Sequence, residues 1–341
     1  MDMSQYISFV YYQKDVPCVY LKHYSGYLRI FCNKIGVVNH VCFKEYLWDS
    51  LPEGAEITGN ILVYLDKAIF SRKISRREFD AEKYTLKSNK MYMEGIENNV
   101  IKVGDDEVCM TYYPFPCISV FHRMDCSYYS VVSDMEDCVA AVKNGIKKCL
   151  AQFYYQDGIY SLHASCVQIG SRCDVFLAST RSGKSTLYAN LVTNGASHIG
   201  DDIVFVKAVD GELYTFGVPI LPSIRVAAIP FLAGSVSLEK HIIQDDSDDR
   251  MELIELKGVV LPAIKLCRIG SFALIEKGTQ CRYIKAEQDM SLKKALIKSM
   301  IWHLNVDVDE GMTSMVNLIL SSAWKKLTIA PDPYENIKRI L

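Results

Sequence analysis

One stretch of this chain has residue types at a spacing that could hold a phosphate: Ala178-Ser-Thr-Arg-Ser-Gly-Lys-Ser185. A short turn between a strand and a helix aims several backbone N–H groups at one point, and the helix dipole adds to their pull on an anion. Lys184 would bring a point charge to terminal phosphates and Ser185 a hydroxyl to a magnesium ion, while Gly183 lets the backbone approach with no Cβ in the way. Ser179, Thr180, Arg181, Ser182 and Thr186 complete the candidate nucleotide-binding set. The segment departs from G-x-x-x-x-G-K-[ST] at its start, where Ala178 stands in place of the first glycine; that strains the turn only if its φ is positive. The alternative is a Gly-Lys-Ser-Thr that merely opens a helix.

Asp201 and Asp202 follow Lys184 by 17 and 18 residues, across one helix and a turn. Adjacent carboxylates at that point could divide the labour, one holding magnesium and the other taking a proton from an attacking hydroxyl. An Asp-rich helix-to-strand turn is the plainer alternative. Upstream, Leu162-His-Ala-Ser-Cys-Val167 puts His163 in a strand-like run 21 residues before the lysine, where a satisfied core histidine is the other reading.

These residues need elements to position them. Val175 to Ala178 reads as a strand, Lys184 to about Asn194 as a helix ended by Gly195, and Ile203-Val-Phe-Val206 as the next strand, which is α/β grammar. From Asp134 the apolar spacing of Val139, Val142, Ile146 and Leu150 predicts a helix, with Ser133 and Glu136 as a capping box. Earlier runs, Ile7–Tyr12, Pro17–Leu21, Tyr27–Phe31 and Ile61–Leu65, read as strands, as does the run around Tyr112 and Tyr113. The charges from Arg72 to Lys90 suggest an exposed connection or solvated helix. The main boundary is expected near residue 130, with a β-rich part over 1–130 and an α/β part over 131–341.

Composition sets the limits. The chain has 341 residues, 38 basic and 40 acidic, with 50% hydrophobic and 23% charged residues, the profile of a globular protein large enough for an unstapled core. A formal charge of -2 shows no basic excess that would attract nucleic acid or anionic lipid. The 12 cysteines include no C-x-x-C pair, so zinc and redox motifs are not supported and buried free thiols are expected. No stretch reaches the roughly 20 apolar residues of a membrane span, and the N-terminus lacks the pattern of a secretory signal. A cytoplasmic protein with no membrane and no nucleic-acid partner is expected.

Leu162-His-Ala-Ser165, Ser-Gly-Lys-Ser-Thr at 182–186 and Gly200-Asp-Asp202 together resemble the HPr kinase/phosphorylase family, and in particular its smaller relatives in gene clusters for lasso and other ribosomal peptides. The resemblance covers roughly residues 155 to 210. It implies an α/β core shared with phosphoenolpyruvate carboxykinase, with ATP and Mg2+ as nucleotide and cofactor. On this resemblance Lys184 meets the β- and γ-phosphates, Ser185 and Asp202 sit near the metal, Asp201 is the general base, His163 lies near the transferred phosphoryl group, and Arg225 meets transition-state charge. Gly217-Val-Pro-Ile-Leu-Pro-Ser-Ile-Arg225 and Leu253–Leu266 are similar to later segments of the peptide kinases, and Leu327–Tyr334 to their closing strand and helix. Ala178 and Arg181 depart from the family pattern, and its later metal-associated glutamate and HPr-recognising loop have no counterpart identified in this chain.

The resulting expectation is an ATP-dependent serine or threonine kinase whose favoured acceptor is a ribosomally made precursor peptide. The alternatives are a kinase of free serine or a polyol, and a non-catalytic nucleotide- or peptide-binding protein. Residues 1–130 carry no chemical motif; a peptide-binding sheet edge, an oligomerisation surface and a structural extension all stay open. Asp245-Asp-Ser-Asp-Asp249 lacks the glycine and distal glutamate of a calcium loop, so it reads as a solvated loop or a substrate-facing flap. Leu292, Ala295, Leu296, Met300 and Ile301 recur at helical spacing and read as core, with Trp302 and His303 near the end of that helix.

Overall fold

The computed structural model describes residues 16–65, 98–103, 106–111, 117–132, 135–178, 182–233, 238–241, 253–256, 264–285, 290–301 and 308–341. The expectations for Ile7–Tyr12, Arg72–Lys90, Tyr112 and Tyr113, Ser133, Asp245–Asp249, and Trp302 and His303 lie outside these residues. The described residues divide into two compact units, one ending at Phe153 and the other beginning at Tyr154.

The first unit is built on an eight-stranded mixed sheet in the order β3-β1-β2-β4-β8-β7-β6-β5. Its strands are β1 (Cys18–Lys22), β2 (Tyr27–Cys32), β3 (Leu47–Trp48), β4 (Ile57–Leu65), β5 (Asn98–Val103), β6 (Asp106–Thr111), β7 (Cys117–His122) and β8 (Ser127–Val132). Between β2 and β3 lie a one-turn helix, α1 (Val38–Val41), and short 3-10 turns at Ile35–Val37 and Lys44–Tyr46. β4 runs parallel to both β2 and β8, and β5 to β8 form an antiparallel meander. β1, β2 and β4 coincide with the expected runs Pro17–Leu21, Tyr27–Phe31 and Ile61–Leu65, which β-branched and aromatic residues dominate, whereas β3, β5, β7 and β8 are strands that no run in the sequence singles out. The helix α2 (Met135–Gln156) follows, and Val139, Val142, Ile146 and Leu150 are all buried as their spacing predicts.

The second unit carries every described candidate site residue. Its nine-stranded sheet has the path β12-β10-β11-β18-β14-β13-β9, with β20 alongside β18 and β19 outside β20. The strands are β9 (Tyr160–Leu162), β10 (Ser165–Ile169), β11 (Arg172–Ala178), β12 (Ser197–Gly200), β13 (Val204–Val209), β14 (Glu212–Thr215), β18 (Cys267–Lys277), β19 (Arg282–Lys285) and β20 (Trp324–Ile329). A separate three-stranded sheet contains β15 (Ser223–Arg225), β16 (Leu238–His241) and β17 (Leu253–Leu256). The central strands β11, β18 and β20 are mutually parallel.

Helices cover both faces of this sheet. Cys173, Val175 and Leu177 of β11 point into a core completed by Leu292, Leu296 and Met300 of α4 (Met290–Ile301) and by Met312, Met315 and Ile319 of α5 (Glu310–Ser321). Phe176, between them, points the other way, into a core with Leu187, Tyr188 and Leu191 of α3 (Lys184–Thr193) and Ile340 of α6 (Pro333–Ile340). A strand buried on both faces reads as a continuous apolar run, which Val175-Phe-Leu-Ala178 is. The result is a mixed α/β unit with the sheet between two helical layers.

The sequence reading passed directly from the helix after Lys184 to Ile203–Val206. The structure places a further strand, β12, between them, paired antiparallel with β10. Ser197-His-Ile-Gly200 has no β-branched run to announce it, and its pairing with β10 makes it a strand. Among the described residues, no helix is long and apolar enough to cross a membrane, and Cys18, Cys32, Cys42, Cys126, Cys138, Cys149, Cys166, Cys173, Cys267 and Cys281 are free thiols, mostly buried.

Candidate active site

The site residues gather where β11 and β12 end and β10 begins. Gly183 is the N-cap of α3 with φ 93°, a left-handed conformation that a side chain resists, and a Cβ there would lie 2.7 Å from Ile329 Cδ1. α3 then runs from Lys184 and ends at Thr193, just before Asn194 and the left-handed Gly195, as the sequence suggested. Ser182, Lys184, Ser185 and Thr186 lie at or inside its start. Ser179, Thr180 and Arg181 are outside the described residues.

Asp201 follows β12 directly. Gly200 makes that course possible, because a Cβ on it would meet the Ile203 carbonyl oxygen at 2.5 Å. β10 and β12 are paired through Cys166 and Gly200, which brings the start of β10 alongside Asp201. Ser165, fully buried, donates its hydroxyl hydrogen to Asp201 Oδ1 at 2.5 Å. Ser185 Oγ donates to the same Oδ1 at 3.4 Å. Lys184 Nζ donates to Ser165 Oγ at 3.4 Å and stands 3.9 Å from Asp201 Oδ1. The side chains of Lys184 and Asp201 are only 9% and 5% exposed, so solvent screens this opposite pair weakly.

Asp202 has a different environment. It is a non-glycine residue at φ 71°, and its side chain is 40% exposed. His163 Nδ1 lies 3.0 Å from Asp202 Oδ1 and 3.1 Å from the Asp202 carbonyl oxygen. The carbonyl can only accept, so Nδ1 carries the hydrogen and donates to Asp202. The backbone of His163 is clamped to α4: its N–H donates to the Ser299 carbonyl at 3.0 Å, and Ser299 Oγ donates to the His163 carbonyl at 3.2 Å. Left-handed backbone at a non-glycine residue costs about 1–3 kcal/mol and persists where its surroundings enforce it, here through His163.

Behind the site a buried pair ties α3 to β12. His198 Nε2 donates to the Val218 carbonyl at 3.3 Å, which leaves Nδ1 to accept the hydrogen of Tyr188 Oη. Burial lowers the His198 pKa to about 4. Burial, and after it the nearby charge of Asp201, pushes the Tyr188 phenol well above its usual value, so it remains a donor.

Thus the structure brings together His163, Ser182, Gly183, Lys184, Ser185, Thr186, Asp201 and Asp202. Arg225 lies on a different sheet, with its backbone paired to Leu253 in β17; its neighbour Ile224 packs on Ala189 of α3. Ser165 was missed as a participant although it stands in the Leu162-His-Ala-Ser run. The period-2 pattern would have put it on the α3 face with Val167, but only the β10–β12 pairing sets it against Asp201. The Tyr188 and His198 pair gave no sequence signal, because ten residues and a turn separate them.

No family model matches the chain, and no curated protein matches it. Among solved structures, 57 chains match. One is the Hpr(Ser) kinase/phosphatase from Coxiella burnetii, with 13% sequence identity and a TM-score of 0.25, over 52% of this chain and 93% of that chain.

Proposed function

We propose that this protein is a Mg2+- and ATP-dependent kinase that phosphorylates a serine or threonine hydroxyl, with a ribosomally made precursor peptide as the favoured acceptor. The observation that carries this reading is the convergence of Lys184, Ser185 and Asp201 within 3.9 Å at the N-terminus of α3, with the His163–Asp202 pair beside them. The peptide acceptor rests on the sequence resemblance to peptide-tailoring kinases.

Ser185 and Asp201 offer hard oxygen donors 3.4 Å apart, a set that suits magnesium, which takes one or two protein oxygens together with substrate phosphates. When bound there, the ion neutralises phosphate charge. The N–H groups at the start of α3 and the Lys184 ammonium bind the phosphates and orient the terminal one. The acceptor hydroxyl forms a new O–P bond as the bond from the terminal phosphorus to its bridging oxygen breaks; ADP leaves, and the hydroxyl proton goes to a carboxylate.

The sequence-based expectation gave that proton to Asp201 and the metal to Asp202. The distances favour the opposite division. Asp201 is buried against Ser185 and Lys184, whereas Asp202 is 40% exposed, open to an acceptor arriving from outside, and steadied by His163.

The test is transfer from labelled ATP with magnesium to a panel of seryl peptides, free serine and polyols. Asp202→Asn should abolish transfer while magnesium-nucleotide affinity stays within a few fold. Asp201→Asn should weaken magnesium-dependent nucleotide binding by roughly 10- to 100-fold. Transfer surviving in Asp202→Asn would return the base to Asp201; no transfer by the wild-type chain to any acceptor, with nucleotide still bound, would favour a non-catalytic binding protein.

A further inference from the structure

Ser165 sits in the middle of the site with two charged neighbours and a single hydrogen to give. Its Oγ accepts from Lys184 Nζ at 3.4 Å and donates to Asp201 Oδ1 at 2.5 Å. The two charged atoms it touches are themselves 3.9 Å apart, at the outer limit of an ion pair. Among the described residues, Ser165, Ser185 and Lys184 all meet Asp201 at Oδ1, an arrangement that leaves the other carboxylate oxygen to a ligand.

We propose that Ser165 is a positioning residue that works as a spacer: its hydroxyl occupies the place where Lys184 and Asp201 would otherwise close into a direct ion pair, and so keeps the lysine available to phosphate and the carboxylate to metal. The inference rests on the kinase reading above. Its physical basis is the weak screening at this depth. Opposite unit charges 3.9 Å apart and this little exposed attract strongly, enough to draw a flexible lysine onto the carboxylate once nothing intervenes. A serine hydroxyl suits the task because it satisfies both charges at once, accepting from the cation and donating to the anion. Its own place is held by the sheet. Ser165 opens β10, opposite Phe176 of β11 on one side and next to the β12 pairing on the other, so Oγ cannot swing away with a loop.

The position is fully buried, so simple truncation could also disturb packing. The decisive comparison is therefore Ser165→Thr against Ser165→Val, which have nearly the same shape and differ in the hydroxyl. Ser165→Ala serves as the smaller control. Binding of ATP and ADP to each full-length variant is read by calorimetry, without turnover, in the presence and absence of magnesium. Steady-state transfer is measured alongside.

The valine and alanine variants should bind nucleotide roughly 10- to 100-fold more weakly than their hydroxyl-bearing counterparts, threonine and wild type, and need correspondingly more magnesium. The KM for the acceptor should stay within a few fold. Equal nucleotide affinity and magnesium requirement for valine and threonine, with both folded by circular dichroism, would overturn the spacer role. If the wild-type chain binds nucleotide but transfers to nothing, the kinase reading fails; the threonine and valine comparison still decides the role of Ser165 in holding phosphate.

Discussion

Acidification should loosen the floor of this site through His198. The imidazole is 1% exposed, and burial lowers its pKa from 6.5 to about 4. In the unfolded chain the same group titrates near 6.5. Between these values the unfolded state binds a proton that the folded state does not, so stability falls as pH drops through that window. At 1.36 kcal/mol per unit, the loss from this residue is about 1.4 kcal/mol at pH 5.5 and about 3 kcal/mol at pH 4. That is a large share of the roughly 5–15 kcal/mol that keeps a typical domain folded. Protonation would also end the hydrogen bond that Nδ1 accepts from Tyr188, which ties α3 to the strand leading to Asp201.

The perturbation is His198→Gln, which cannot titrate, and the assay is urea unfolding of the full chain at pH 7, 5.5 and 4. At pH 7 the variant should be less stable by about 1–3 kcal/mol, through lost hydrogen bonds at a buried site. Its stability should then fall less steeply than that of wild type, so the two curves converge toward pH 4. His23, also buried and lowered to about 3, adds its own acid loss in the other unit, but it is present in both proteins and cancels in the difference. Parallel curves for wild type and variant across pH 6.5 to 4 would refute the argument, because they would mean that His198 binds its proton alike in both states.

Two further outcomes test how the site is framed. Gly183→Ala places a Cβ on a residue at φ 93° and 2.7 Å from Ile329 Cδ1, so it should cost about 1–3 kcal/mol in thermal denaturation and weaken nucleotide binding in the same variant. Unchanged melting would mean that the turn relaxes freely. Asn190 of α3 donates to the Phe231 carbonyl at 2.9 Å and accepts from the Ala233 N–H at 2.7 Å. Asn190→Ala should therefore cost about 1–3 kcal/mol and raise amide hydrogen exchange at Ala233; exchange at the wild-type rate would show that those backbone groups are satisfied by other partners.

Local patterns were legible wherever one residue type or one spacing decides the outcome. The apolar run of β11, the glycines that bracket α3 and the helical spacing of Val139, Val142, Ile146 and Leu150 are of this kind, and the structure has those elements. So is the grouping of Lys184 and Ser185, adjacent positions at the start of one helix. What the chain alone did not reveal is each case that depends on a partner far away in sequence. β12 exists because β10 pairs with it, Ser165 reaches Asp201 across 36 positions through that pairing, and His198 finds Tyr188 across the helix-to-strand turn.

The two carboxylates make the division plain. Sequence determined that Asp201 and Asp202 stand together after the helix that Lys184 and Ser185 open. It could not tell them apart, since they are the same residue type at adjacent positions. Tertiary structure distinguished them: Gly200 lets the chain turn beside Ile203, Asp201 is buried against Ser165, Ser185 and Lys184, and the left-handed backbone of Asp202 carries it out to His163. Chemical type is inherited from the residue, whereas burial and charge partners depend on which strands and helices the whole fold brings together.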